Sequence, residues 1–120
     1  MQSGWVKVYR KTTSWEWYKN NNIKAVFFHL LLTAEPKART YKGIKIPAGS
    51  VLTSYPKLAS ELGMTVSQVR TAIVALKSTG EIAGRIAGSG TFKGTLYTLK
   101  KWPSYQSKSQ KVSQKESQKV

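Results

Sequence analysis

Residues 54–80 read SYPKLASELGMTVSQVRTAIVALKSTG, and this stretch decides the fold. Ser54 is suited to cap a helix that carries Pro56 in its first turn, where a missing N–H costs nothing. Leu58, Ala59 and Leu62 then fall on one face, and Gly63 is a left-handed stop. Thr65 starts a second helix. Gln68, three residues on, completes a T-x-x-Q capping box. Val69, Ala72, Ile73 and Leu76 form the buried stripe of helix 66–78, and Gly80 ends it. Two short helices joined by a Gly-bearing turn form the helix-turn-helix pattern.

Beyond Gly80 the apolar period drops from 3.6 to about 2. Ile82, Gly84 and Ile86 alternate. Residues 87–94, AGSGTFKG, read as a Gly-rich loop, and residues 96–99 alternate again. This predicts a β-hairpin. Alternation alone leaves open whether Leu96 or the Tyr97/Leu99 pair faces the core. Upstream, Lys42-Gly43 and Pro47-Ala48-Gly49 are turn signals, and residues 51–53 form a short β-prone piece. The whole of residues 39–54 reads as a basic turn region with one short strand.

Further back, residues 23–35 read IKAVFFHLLLTAE. Ile23, Val26, Phe27, Leu30 and Leu31 recur at helical spacing, with Phe28 and Leu32 on a flank. A nearly enclosed helix is expected, capped by Asn22 and ended before Pro36. Trp5, Val6, Val8 and Tyr9 suggest a strand or extended segment.

The order is helix, short strand, helix-turn-helix, hairpin. It predicts an α+β winged helix-turn-helix: a three-helix core with a C-terminal β-hairpin wing. The domain is expected over residues 1–102. Residues 107–120, SKSQKVSQKESQKV, repeat an S-Q-K-x unit with almost no apolar content. Such a segment does not offset its own ordering entropy, so 103–120 is expected as a disordered basic tail or linker.

Charge narrows the function. The 120 residues carry 20 Lys+Arg against five Glu and no Asp, a net +15, with a pI near 10.2. The tail holds four Lys and one Glu, +3 of that total, which leaves +12 on residues 1–102. A basic folded body points to a polyanion, most simply nucleic acid. Zero Cys removes thiolate nucleophiles and cysteine zinc sites, and the single His, His29, completes neither a triad with Asp nor a His-rich metal site. The five Glu are widely spaced, so no enzyme, cofactor or metal is expected. His29 reads as a satisfied core or boundary residue. The most apolar run, residues 25–32, is eight residues long against the roughly 20 that span a bilayer. No signal peptide is visible, and a cytoplasmic protein is expected.

Within the winged-helix reading, helix 66–78 enters a DNA major groove. Ser67, Gln68, Arg70 and Thr71 on its outer face are the candidate base readers: Gln for adenine, Arg for guanine, Ser or Thr for base or phosphate. Lys57, Lys77, Arg85 and Lys93 are the candidate backbone contacts, the last two on the wing. The four Trp suit stacking on bases or closing the edge of a small core, and the second is favoured. GSGTFKGT is no P-loop, because Lys93-Gly94-Thr95 has the wrong order.

Residues 42–82, KGIKIPAGSVLTSYPKLASELGMTVSQVRTAIVALKSTGEI, resemble the N-terminal winged-helix domain of phage and mobile-element replication-initiation proteins, the DnaD-like replisome organisers. LTSYPKLASELG at 52–63 and SQVRTA at 67–72 carry the likeness in combination. The opening GWVKVYRK and the ending TLYTLKKWPSYQ extend it to about residues 4–106. The resemblance implies origin binding and recruitment of replication or helicase-loading proteins. Sequence-specific binding of double-stranded DNA in phage, plasmid or mobile-element replication is therefore expected, with a homodimer among the possible forms. The alternatives are a winged-helix transcriptional repressor and a docking or oligomerisation module of a primosome.

Overall fold

Asn20 opens the first helix. Its side-chain oxygen accepts from the Ile23 N–H at 2.9 Å, and the helix α1 runs over Asn21–Thr33. The cap is therefore two residues earlier than expected. Any of the three consecutive Asn is cap-competent. The backbone bond from Asn20 N–H to Trp17 C=O, 2.9 Å, closes a turn just before the first of them and fixes the choice.

The computed structural model describes residues 4–89 and 92–101. The expected tail, 103–120, lies outside them. After α1 come β1 (Arg39–Tyr41), β2 (Ile44–Ile46), β3 (Ser50–Thr53), α2 (Tyr55–Leu62), α3 (Val66–Ser78), β4 (Ile82–Ser89) and β5 (Phe92–Leu99). Among the described residues the fold is α+β, with three α-helices and two small antiparallel sheets: β1-β2, and three strands in the order β3-β5-β4.

The local signals around α2 and α3 act as their chemistry dictates. Ser54 Oγ accepts from the Lys57 N–H, Pro56 sits in the first turn, and Gly63 ends α2 at φ 66°. The Thr65 hydroxyl accepts from the Gln68 N–H and the Gln68 amide oxygen accepts from the Thr65 N–H, both at 3.0 Å. Apolar stripes of all three helices meet in one core with Ile82, Tyr97 and Leu99. Leu62 is half-buried at its margin, and Leu32 is 59% exposed, so α1 is less enclosed than its composition suggests. Trp15 and Trp17 close the edge. The Trp15 ring lies 4.9 Å from that of Phe27, tilted by 51°, and its N–H donates to Glu81, while Trp17 donates to Thr79. Trp5 stays 82% exposed.

Residues 5–9, expected as a strand or extended segment, form no strand; Tyr9 has extended backbone, and a short 3-10 turn, Arg10–Ser14, follows. Two expectations need correction. The supposed loop 87–94 is mostly strand, because Ala87 pairs with Gly94 and Ser89 with Phe92. Residues 39–46, expected as a basic turn region, form a two-stranded hairpin. Tyr41 pairs with Ile44 around Lys42 and Gly43, which hold φ values of 50° and 79°. Positive φ at both central positions is the two-residue turn whose twist matches the strands.

That hairpin resolves the ambiguity of β5. Tyr97 and Leu99 face the helices. Leu96, on the opposite face, is buried in a second small core with Ile44, Ile46, Ala87 and the partly buried Leu52. The central strand is covered on both sides, which is why both sets of apolar residues are present.

Candidate nucleic-acid interface

With Val69, Ala72, Ile73 and Leu76 buried, 3.6-residue geometry turns Ser67, Gln68, Arg70, Thr71, Val74 and Lys77 outward, and all six are exposed. The four expected base readers therefore share one exposed helix face. Their freedom differs. Gln68 is the partner in the capping box, and its amide oxygen is turned back toward Thr65. A fork aimed at adenine needs that oxygen and the amide nitrogen together, so adenine recognition competes with the cap. The Arg70 guanidinium lies 5.7 Å from the centre of the Tyr55 ring, across from the start of α2. A cation over a ring face is held by the ring quadrupole and keeps its hydrogen-bond donors at its edge.

A second cation–aromatic pair sits further along α3. Lys77 Nζ is 6.0 Å from the Tyr97 ring centre. Gly84 makes room for this: a Cβ there meets Tyr97 Cε1 at 2.9 Å and Lys77 Cε at 3.2 Å. Burial pushes the Tyr97 phenol up to about 12, and neighbouring Tyr55 adds to the rise. Both tyrosines line a groove of about 310 Å³ with Ser54, Lys77, Gly84, Arg85 and Thr95. Sequence reading gave neither Tyr55 nor Tyr97 a part in the site. Its only cue was Gly84, two positions from Ile82 and Ile86 in an alternating strand, where a missing side chain marks a close approach.

The four expected backbone cations do not form one set. Lys57 Nζ is 3.4 Å from Glu61, whose other oxygen accepts from His29 Nε2 at 2.9 Å. That His29 hydrogen bond, more than Lys57, holds the Glu61 carboxyl below its usual range. His29 is thus a satisfied boundary residue, and the Lys57 charge is partly offset. Lys77 and Lys93 lie on the helix side of the three-stranded sheet, since Lys93 shares the alternation of Thr95 and Tyr97. Arg85 pairs with Leu96 and belongs to the opposite face. Because β4 is an edge strand, Arg85 borders the groove described above as well as another on the β1–β2 side.

Comparison with known proteins finds no matching family model, curated protein or solved structure. The site therefore stands on its own chemistry. Among the described residues no helix is long and apolar enough to cross a membrane.

Proposed function

We propose that the chain is a winged-helix protein that binds double-stranded DNA, with α3 in the major groove and the β4–β5 hairpin as the wing. The observation that carries the reading is the outer face of α3. Ser67, Arg70, Thr71 and Lys77 are exposed together on it, two of them cations braced by Tyr55 and Tyr97. The +12 carried by residues 1–102 supports it. Arg70 reads a guanine edge, and Ser67 and Thr71 take an adjacent base or phosphate. Lys77, Arg85 and Lys93 neutralise phosphates and set register. The context is replication initiation in a phage, plasmid or mobile element, as the resemblance of residues 42–82 implies.

A second reading, a docking module for a replication partner, draws on Val74 and Ile86, which are exposed beside the same face. Salt titration of duplex binding separates the two. With about five phosphates neutralised, log K falls against log salt with a slope of roughly −4 to −5. A slope near zero, or no binding to duplexes from the chain's own gene and upstream region, sinks the DNA reading in favour of docking.

A further inference from the structure

The β1–β2 hairpin has no part in the helix-turn-helix scheme, yet it is firmly anchored. Ile44 and Ile46 are buried against Leu96 and Ala87 on the side of the sheet away from α3. Between this hairpin and β4 runs a groove of about 430 Å³. Lys42, Lys45 and Arg85 line it, with Gly43 and Gly88, and none of its described lining residues is acidic. The nearby Arg39 does not line it and is held by Glu35 at 3.0 Å.

Two features fit the groove to a phosphate. β4 is the outer strand of its sheet, so alternate backbone N–H groups along it point away from β5. Gly43 has nothing within 4 Å of where a Cβ would stand, so backbone at the hairpin tip is open to a close approach. Three cations and the outer strand β4 border one concave strip.

We propose that this groove is a second nucleic-acid contact, which binds one backbone phosphate of the duplex beyond the stretch that α3 covers. The proposal rests on the DNA reading above. Arg85 and Ile86 border both grooves, so the two open on either side of the same strand edge, and one duplex running along β4 meets both.

The test compares the wild-type chain with Lys42→Asn/Lys45→Gln on one duplex carrying the selected site. Asn tolerates the left-handed backbone of position 42 while removing its charge. Loss of one phosphate contact makes the salt slope shallower by about 0.9, so the affinity gap narrows about 3.5-fold between ~50 and ~200 mM salt. Hydroxyl-radical footprinting loses backbone protection at one flank. The selected base motif stays the same, and Lys42→Arg/Lys45→Arg restores both quantities. Circular dichroism checks the fold. Lys45→Gln alone, which leaves the turn intact, gives the same two readouts if the double variant misfolds. Wild-type binding with an unchanged slope and flank in the neutral variants overturns this proposal and leaves the DNA reading standing. Absence of duplex binding by the wild-type chain overturns both.

Discussion

Replacing Ile46 by Ala and, separately, Lys45 by Ala tests whether the β1–β2 hairpin is part of the folded body. The two residues are neighbours on one three-residue strand, one facing in and one facing out. Ile46 is 2% exposed, in the second core with Leu96 and Ala87. Removing three carbons from it forfeits about 2.4 kcal/mol of transfer free energy at ~0.8 kcal/mol each. The cavity left behind brings the cost to about 3 kcal/mol, inside the usual range for such truncations. For a domain of this size each kcal/mol lowers Tm by roughly 4–8 °C, so a fall of about 12–24 °C is expected. Lys45→Ala removes an exposed side chain and costs within about 0.5 kcal/mol. Urea denaturation followed by circular dichroism and Trp fluorescence gives both values. If Ile46→Ala costs no more than Lys45→Ala, the hairpin does not pack on the sheet, and the two-sided burial of β5 is wrong.

Other substitutions probe the α3 face and its support. Arg70→Ala is expected to cost about 1–3 kcal/mol in specific binding and relax preference at one base position, as read by binding-site selection. Gln68→Ala instead lowers thermal stability by about 1 kcal/mol through loss of half the capping box and leaves the selected motif unchanged; a changed motif shows that Gln68 leaves the cap to read a base. Gly84→Ala drives a methyl to within 3 Å of the buried Tyr97 ring and is expected to cost about 1–3 kcal/mol, measured by denaturation. The Tyr97 phenol is raised, so the unfolded chain releases its proton first: stability contributed by the neutral phenol is intact below pH 10 and falls as pH climbs toward 12. Tyr97→Phe flattens that fall relative to wild type, and identical alkaline profiles for the two proteins refute the assignment.

What was legible in the sequence was legible for local reasons. The Ser54 cap, the Gly63 stop and the Thr65–Gln68 box each depend on backbone groups within three or four residues, so spacing along the chain is enough to find them. The buried stripes of α1 and α3 are long enough for a 3.6 period to show. The β1–β2 hairpin failed on both counts. Its strands are three residues each, too short for alternation to stand out, and its turn is Lys-Gly rather than the Asn-Gly that signals such hairpins. Ile44 and Ile46 carried the signal, but their partner Leu96 lies 50 residues away, and nothing local announces that β5 is buried on both faces. Residues 87–94 misled for the opposite reason. Three glycines suggest a loop, yet two of them, Gly88 and Gly94, stand in the cross-strand ladder, Gly88 with φ 91°. The outward side chains of α3 followed from its inward ones. Their partners did not, because Tyr55 and Tyr97 reach Arg70 and Lys77 from other elements.

The distribution of charge bears on how recognition and affinity divide. Helix α3 holds only two cations, Arg70 and Lys77, whereas residues 1–102 carry a net +12. On the proposed reading, α3 cannot supply most of the phosphate neutralisation, because that term scales with the number of cations brought to the backbone. The remainder has to come from outside the helix-turn-helix, and the groove lined by Lys42, Lys45 and Arg85 is one place where cations converge. Truncating Arg70 then removes discrimination faster than it removes non-specific binding. Neutralising the strip does the reverse. On the proposed reading the protein holds any duplex through its sheet edge and chooses among duplexes through one helix face, and mutation is expected to separate the two properties because different elements carry them.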